Sequence, residues 1–288
     1  MSIFLSRGYH SLIPPSSSIW NTMIAIDDQY LSVAIAAAKS GGDVLLDMYG
    51  KVEIAYKLDQ SIVTRADLHS DNRIRKILTK EFPKHSILSE ESGKSFESEK
   101  GDSSEYLWAI DPLDGTTNYT TRNPFFGVSI GLLVDQQPFL GVIYFPIQDE
   151  LFYAKVGAGA FLNDRRIHVE SNASFENTFL SYGNARDIKN RQIIAEIFPK
   201  LKIKNNTVRQ VGSPALALCF VAAGRFGAFF MPGVKLWDVT AGVVIVQEAN
   251  GRVTDFLNKP FSLNSTSIIA ASSTLHSEIL PFLTNTFS

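Results

Sequence analysis

Three apolar segments follow one another closely in the middle of the chain, over residues 126–133, 139–145 and 151–155. They are joined by polar turns at 135–138 and 146–149, which are too short for the crossover that parallel strands need. Two further apolar segments, 87–89 and 107–110, precede them. The pattern therefore predicts a sheet of five strands that is largely antiparallel.

Helical spacing of apolar residues marks the part of the chain before this sheet. It predicts a helix over 28–49 and a second helix starting near Asp67, a residue suited to an N-cap. Two helices followed by an antiparallel sheet are typical of an α+β lobe, which we place at residues 24–165. Residues 1–23 contain one charged residue, Arg7, and are predicted to be a disordered extension rather than an arginine-rich transit peptide.

Strands and helices alternate in the remaining part, residues 166–288, which predicts an α/β lobe. Ser213 and Pro214 mark one helix start there, as an N-cap and a first helical residue. Two other predicted helices cover 188–198 and 237–249, and a final helix begins near residue 273. The predicted strands cover 178–182, 208–211, 226–230, 252–255 and 267–271.

Charge and cysteine content exclude several classes of function. The 27 basic and 29 acidic residues give a net charge of −2, so the strongly basic surface of a nucleic-acid-binding protein is not expected. The single cysteine, Cys219, excludes an internal disulfide and a cysteine-based zinc site. No apolar segment approaches the ~20 residues of a membrane helix. We expect a cytoplasmic protein that binds neither nucleic acid nor membrane.

Two aspartates lie at the end of the predicted strand 107–110 and just after it. Asp111 ends the strand, Asp114 follows three residues later, and Pro112 stiffens the backbone between them. Both carboxylates and the Leu113 carbonyl can then face one point, and oxygen ligands of this kind suit Mg²⁺. Residues 115–117 are predicted to open a helix or turn whose free N–H groups hold a phosphate.

Two alternatives explain the same residues. A plain strand and turn is one of them, since Pro and Asp-Gly are common in turns. The other is a phosphatase that forms an aspartyl phosphate and carries the motif Asp-x-Asp-Gly-Thr. The first aspartate of that motif would fall at Pro112, so its nucleophile is missing and this class is set aside.

Other acidic residues occur at strand ends and helix starts elsewhere in the chain. Glu90 and Glu91 follow the apolar segment 87–89, where a solvated surface pair is the alternative interpretation. Asp238 lies at a predicted helix start, where an acidic side chain also stabilises the helix. Asp67 has the same ambiguity, since it is also suited to capping. Taken singly, none of these residues defines a site.

Together, four motifs in this order resemble the inositol monophosphatase family, whose members are lithium-sensitive, Mg²⁺-dependent phosphatases. The motifs are Val-Thr-x-x-Asp at 63–67, Glu-Glu-Ser at 90–92, Asp-Pro-Leu-Asp-Gly-Thr-Thr-Asn at 111–118 and Trp-Asp-x-x-Ala-Gly at 237–242. The resemblance covers roughly residues 28–285. It implies a layered α-β-α-β-α sandwich, a homodimer and a small phosphorylated metabolite as substrate.

The resemblance also implies a set of metal ligands. Glu90, Asp111 and the Leu113 carbonyl are expected to hold one Mg²⁺. Asp111 would bridge to a second Mg²⁺, whose other ligands are Asp114 and Asp238. A third, weaker ion is allowed near Glu90, held through water.

Catalytic and substrate-binding residues follow from the same resemblance. Thr116 and Asp67 are expected to hydrogen-bond to each other and, with Glu90, to orient the attacking water. The expected substrate contacts come from Leu113, Asp114, Gly115, Thr116, Gly212, Ser213 and Asp238.

One position departs from the best-known members of the family. Those inositol phosphatases have a glutamate seven residues before the Trp-Asp aspartate, where it binds inositol hydroxyls, and this chain has Met231. A thioether accepts hydrogen bonds only weakly. Inositol 1-phosphate is the first expectation for the substrate; a 3′(2′),5′-bisphosphate nucleotidase, a fructose-1,6-bisphosphate or broad sugar-phosphate phosphatase, and a binding protein without catalysis are the alternatives.

Overall fold

Seven helices and fifteen strands form the part of the chain described by the computed structural model, residues 17–51, 53–56, 62–95, 105–183 and 187–284. The helices are α1 (Ser17–Met48), α2 (Arg65–Glu81), α3 (Thr116–Thr120), α4 (Ile188–Lys204), α5 (Pro214–Ala222), α6 (Leu236–Glu248) and α7 (Ser273–Thr284). The strands are β1 (Ile54–Tyr56), β2 (Ile62–Thr64), β3 (Ser86–Ser89), β4 (Gly93–Ser95), β5 (Tyr106–Asp114), β6 (Gly127–Val134), β7 (Gln137–Phe145), β8 (Glu150–Lys155), β9 (Gly159–Leu162), β10 (Arg165–Ile167), β11 (Leu180–Tyr182), β12 (Val208–Arg209), β13 (Ala228–Pro232), β14 (Arg252–Thr254) and β15 (Ser267–Ala271).

Two sheets and three helix pairs stack in five layers. The larger sheet has eight strands in the order β10-β9-β8-β7-β6-β5-β3-β4, and the smaller has five in the order β12-β11-β13-β15-β14. Helices α1 and α2 cover one face of the larger sheet, and α5 and α6 lie between the two sheets. Helices α4 and α7 cover the outer face of the smaller sheet. The predicted α-β-α-β-α sandwich is confirmed.

Each interface between layers has its own apolar core. Tyr30, Leu45 and Ile74 belong to the core between the first helix pair and the larger sheet. Cys219 lies fully buried in the central core around α5 and α6, among aliphatic and aromatic side chains. Burial of this apolar surface is the main force that holds the layers together.

A pair of glycines lets α6 approach the larger sheet closely. Gly131 on β6 and Gly141 on β7 lie opposite each other in the antiparallel register. A Cβ on Gly141 would lie 2.2 Å from the Ala241 carbonyl oxygen, and one on Gly131 would lie 2.6 Å from Cγ2 of Thr240. A side chain at Gly141 would therefore displace the helix that carries Asp238, whereas one at Gly131 would press mainly on the Thr240 side chain.

Several predicted boundaries differ from the structure. Helix α1 begins at Ser17 rather than near residue 28, and residues 1–16 of the predicted extension lie outside the described residues. Helix α2 begins at Arg65 with Thr64 as its N-cap, so the prediction of Asp67 as the cap was wrong. The hairpin β1–β2 and the strands β9 and β10 were not predicted.

The division of the chain into lobes at residue 165 and the cytoplasmic location stay predictions. Among the described residues, every helix is too short or too polar to cross a bilayer.

Candidate active site

A β-bulge in β5 brings the two aspartates of the Asp-Pro-Leu-Asp sequence together. Residues three apart in a regular strand point to opposite faces of the sheet. Here Asp111 pairs with Ser129 while Asp114 pairs with Gly127, so β5 has one extra residue between these two pairs. Pro112 lies within the bulge, where its missing N–H is tolerated. The strand thus continues beyond residue 110, where the predicted strand ended, and both aspartates are buried at its end.

Three carboxylates converge at this end of the sheet. Glu90 follows β3, Asp111 is on β5, and Asp238 is in the first turn of α6. One carboxylate oxygen from each lies within 4.8 Å of the other two, a spacing that suits a shared metal ion. The structure therefore brings together three of the four predicted carboxylate ligands.

Asp114, the fourth predicted carboxylate ligand, faces α5. Its Oδ2 atom accepts hydrogen bonds from the Ser213 hydroxyl and from the Ala215 N–H, the latter at 3.0 Å. The Ser213 hydroxyl in turn accepts the Leu216 N–H at 3.1 Å, as an N-cap. Ser213, predicted as a substrate contact, thus also orients a predicted metal ligand.

The carboxylates at this site share an unfavourable electrostatic environment. Burial raises the pKa of Asp111 well above its ordinary value, and the charges of Glu90, Asp114 and Asp238 raise it further. Burial also raises the pKa of Asp114; the Ser213 hydrogen bond opposes this and the Asp238 charge adds to it. Such groups are ionised together only when cations neutralise them. The donor set therefore fits hard divalent cations such as Mg²⁺.

A threonine and an aspartate form a hydrogen-bonded pair beside the carboxylates, as the resemblance implied. Thr116 Oγ1 lies 3.3 Å from Asp67 Oδ1 and 3.1 Å from the Leu113 carbonyl oxygen. Asp67 Oδ2 accepts from the N–H and the hydroxyl of Thr64, at 2.8 and 2.7 Å. Burial raises the pKa of Asp67 to about 6, against the Thr64 hydrogen bonds, which lower it. The carboxyl group therefore titrates close to neutral pH.

Gly115 and Gly212 occupy backbone conformations that other residues rarely adopt. Gly115 precedes α3 with a φ of 89°, and a Cβ there would lie 2.7 Å from the Phe125 carbonyl oxygen. Gly212 has a φ of 78° and lies against the Asn118 side chain. Glycine is required at both places, so the predicted phosphate-binding turn has a fixed shape.

Asn118 links the two halves of the site. The sequence assigned it no role beyond its place in the motif at 111–118. Its amide nitrogen donates to the carbonyl oxygens of Phe125 and Val211, at 2.7 and 2.9 Å. These bonds hold the segment before Ser213 against α3. Val211 is 93 residues from Asn118, too far along the chain for any local sequence signal to reveal that contact.

Met231 lies at the end of β13 in the central core and is 4% exposed. Its Sδ atom lies 2.4 Å from where a Cβ of Gly183 would be, so the thioether fills the space left by that glycine. Met231 is therefore a buried apolar side chain at the position where the resemblance implies a carboxylate.

Comparison with known proteins identifies the class to which this fold and site belong. The family model described as the inositol monophosphatase family matches residues 27–286, and the chain belongs to that family. A fructose-1,6-bisphosphatase/inositol-1-monophosphatase of Aquifex aeolicus is 38% identical over 256 residues, 88% of this chain and 94% of the relative. The Nus factor SuhB of Pasteurella multocida is 38% identical over 259 residues, 87% of this chain and 94% of the relative.

A solved structure agrees with the fold. The inositol monophosphatase from Anabaena (Nostoc) matches with a TM-score of 0.79 and 38% identity, over 90% of this chain and 96% of that one. The chain is accordingly a phosphoric monoester hydrolase that acts on small phosphorylated substrates.

Proposed function

We propose that this protein hydrolyses inositol 1-phosphate to inositol and phosphate in a Mg²⁺-dependent reaction, with tolerance for other small phosphate monoesters. The observation that carries the metal requirement is the convergence of the half-buried Glu90 with the buried Asp111 and Asp238, whose carboxylate oxygens lie within 4.8 Å of one another. When bound, the divalent cations neutralise the phosphate and acidify the water that attacks phosphorus.

Two groups of residues would hold the cations. Glu90, Asp111 and the Leu113 carbonyl would hold one ion, and Asp111, Asp114 and Asp238 would hold the second. The cations that these residues hold would offset the negative charge of a phosphate ester, which hydroxide alone approaches poorly because both are anionic.

Thr116 and Asp67 orient the attacking water. With its proton donated to Asp67, the Thr116 hydroxyl oxygen is an acceptor for a proton of that water, which turns the water's lone pair toward phosphorus. Glu90 accepts a hydrogen bond from the other O–H of that water. The backbone N–H groups of Gly115 and Thr116 hold the phosphate, and Gly212, Ser213 and the carboxylates of the second ion border the leaving alcohol.

Substrate breadth is supported by Met231. A polyol hydroxyl facing this position finds a weak acceptor in place of a carboxylate, and the loss of such a contact lowers discrimination between alcohols. The name of the Aquifex relative joins fructose 1,6-bisphosphate and inositol 1-phosphate, which favours a sugar bisphosphate as the second candidate substrate.

A substrate panel tests the proposal. Phosphate release would be measured with inositol 1-phosphate, fructose 1,6-bisphosphate and adenosine 3′,5′-bisphosphate, each with Mg²⁺ and with EDTA. We expect Mg²⁺-dependent turnover with the highest kcat/KM for inositol 1-phosphate. Preference for the nucleotide would assign the protein to the bisphosphate nucleotidases.

No turnover of any monoester would instead favour a binding role without catalysis; one relative is named a Nus factor. Asp111→Asn is the matched control for metal-dependent phosphate release, since it keeps the shape of the side chain and removes the bridging charge.

Inhibition by Li⁺ and assembly as a homodimer are also proposed, on family resemblance. Phosphate release in a Li⁺ titration and the molar mass from light scattering check these two properties independently of the substrate.

A further inference from the structure

Helix α2 turns a buried polar face toward the metal-ligand segments. Asp67, Ser70 and Asp71 lie at the i, i+3 and i+4 positions of one helical face and are 2%, 0% and 6% exposed. An apolar face is the usual way for a helix to pack on a sheet. Asp67 belongs to the pair with Thr116, whereas Ser70 and Asp71 have no role in the proposed reaction.

Asp71 is connected to Glu90 through a serine. The Ser89 hydroxyl, at the end of β3, donates to Asp71 Oδ1 at 2.5 Å and accepts the Glu91 N–H at 3.3 Å. The Glu90 N–H donates to the Ile110 carbonyl oxygen at 3.2 Å, directly before Asp111. The backbone on both sides of Glu90 is thereby held, on one side by β5 and on the other by α2 through Ser89.

Ser70 holds the second ligand segment. Its hydroxyl donates to the Pro112 carbonyl oxygen at 2.9 Å, in the bulge between Asp111 and Asp114. Gly41 of α1 lies directly against Ser70, with 2.9 Å between Ser70 Oγ and the place of a Cβ. The serine is therefore enclosed between α1 and the bulge, and its hydroxyl has little freedom to turn away.

Asp71 is only 6% exposed, and acidic side chains are seldom buried in this way unless they are paired. Its charged neighbour is Arg75, whose Nη1 lies 3.8 Å from Asp71 Oδ2 and is partly exposed. Hydrogen bonds to residues around a metal ligand commonly set metal affinity. Such a role accounts for a charge that packing alone disfavours.

We propose that Asp71, through the Ser89 hydroxyl, is a positioning residue that holds Glu90 in place for metal binding, with Ser70 holding the bulge in the same way. The inference rests on the proposed metal-dependent function. Asp71 contacts neither substrate nor metal, so its effect is on Mg²⁺ affinity and not on the chemical groups that react.

The test is calorimetric titration of the metal-free full chain with Mg²⁺ alone, for wild type, Asp71→Ala, Asp71→Asn, Ser89→Ala and the double variant Asp71→Ala/Ser89→Ala. We expect each alanine variant to weaken Mg²⁺ binding by about 10-fold or more. The double variant should bind Mg²⁺ no more weakly than Ser89→Ala, because Ser89→Ala already removes the hydrogen bond to Asp71. Asp71→Asn keeps an acceptor oxygen and should restore most of the affinity.

Leu78→Ala is the matched control, since Leu78 is fully buried on the same helix and makes no polar contact with the site. It should lower the melting temperature while the Mg²⁺ affinity stays that of wild type. Unchanged affinity in Ser89→Ala, additive losses in the double variant, failed recovery in Asp71→Asn, or equal losses in Leu78→Ala would each overturn the proposal.

Phosphate release by the same proteins separates the two proposals. If the wild type shows Mg²⁺-dependent turnover and the variants keep its Mg²⁺ affinity, the positioning role is rejected and the proposed function stands. A wild-type protein that neither binds Mg²⁺ nor releases phosphate rejects both.

Discussion

Gly141→Ala should separate α6 from the larger sheet and remove Asp238 from the metal site. The added Cβ would lie 2.2 Å from the Ala241 carbonyl oxygen and 2.8 Å from its carbonyl carbon. These atoms are helix backbone, so no side-chain rotation relieves the contact. Helix α6 has to move by about 1 Å to restore a van der Waals distance, and Asp238 lies one turn before the contact.

The size of the effect follows from this geometry. Overpacking of a core lowers the free energy of unfolding by about 1–3 kcal/mol. For a chain of this length that is a fall in melting temperature of roughly 2–10 °C. Displacement of a reacting geometry by 1 Å reduces turnover by about 100-fold. Thermal unfolding and Mg²⁺-dependent phosphate release measure the two effects.

Gly131→Ala provides the comparison, because its Cβ would meet mainly the side chain of Thr240. Thr240→Ser removes Cγ2 and keeps the hydroxyl bond to the Leu236 carbonyl oxygen, which is 2.7 Å long. The serine should therefore recover part of the loss caused by Gly131→Ala and none of the loss caused by Gly141→Ala. Wild-type stability and turnover in Gly141→Ala would refute the reasoning.

Three other predictions concern the charged and substrate-facing positions. Asp114→Asn should abolish turnover, and retained turnover would contradict the metal assignment. The metal-free variant should melt no lower than wild type, because the repulsion between Asp114 and Asp238 is removed. Met231→Glu should raise kcat/KM for inositol 1-phosphate relative to fructose 1,6-bisphosphate and should lower the melting temperature, because a carboxylate is buried. Met231→Leu is the control. An unchanged ratio of the two kcat/KM values would show that position 231 does not contact the alcohol. Burial lowers the pKa of His276 to about 4, so the native state binds fewer protons than the unfolded state between pH 4 and 6.5, and its contribution to stability is lost as pH falls through that window. At pH 5 the loss in free energy of unfolding is about 2 kcal/mol. Urea unfolding should show this fall with pH in the wild type and not in His276→Gln. An equal fall in both proteins would contradict the role of His276.

The interpretation of His276 rests on its hydrogen bond. Thr254 Oγ1 donates to the Asp255 carbonyl oxygen at 2.8 Å, so it accepts from His276 Nε2, also at 2.8 Å. The ring nitrogen Nδ1 is buried without a hydrogen-bond partner. Protonation would place a charge there, which explains why the neutral form is favoured.

Local pattern was a good guide to the long elements and a poor one to short elements and boundaries. Alternation and turn residues predicted β6, β7 and β8 because those strands pair with their neighbours in the chain. The hairpin β1–β2 has strands of three residues each, which are too short to show a period. Thr64 and Asp67 are both good capping residues, and the structure uses them together, with Thr64 as N-cap and Asp67 bonded back to its N–H.

The amino-acid sequence by itself determined the chemistry available to this protein: carboxylate and carbonyl oxygens at strand ends and helix starts, glycines in the turns, and motifs that identify a phosphatase family. Tertiary structure alone decided which of these groups meet. Asp114 and Ser213 are 99 residues apart and Asp71 and Ser89 are 18 apart, and each contact exists only because a helix packs against the end of a strand. The bulge was equally hidden, since Pro112 indicates a turn until pairing with β6 shows that the strand continues. Local propensity acts over a few residues, whereas the site is assembled by packing between distant segments.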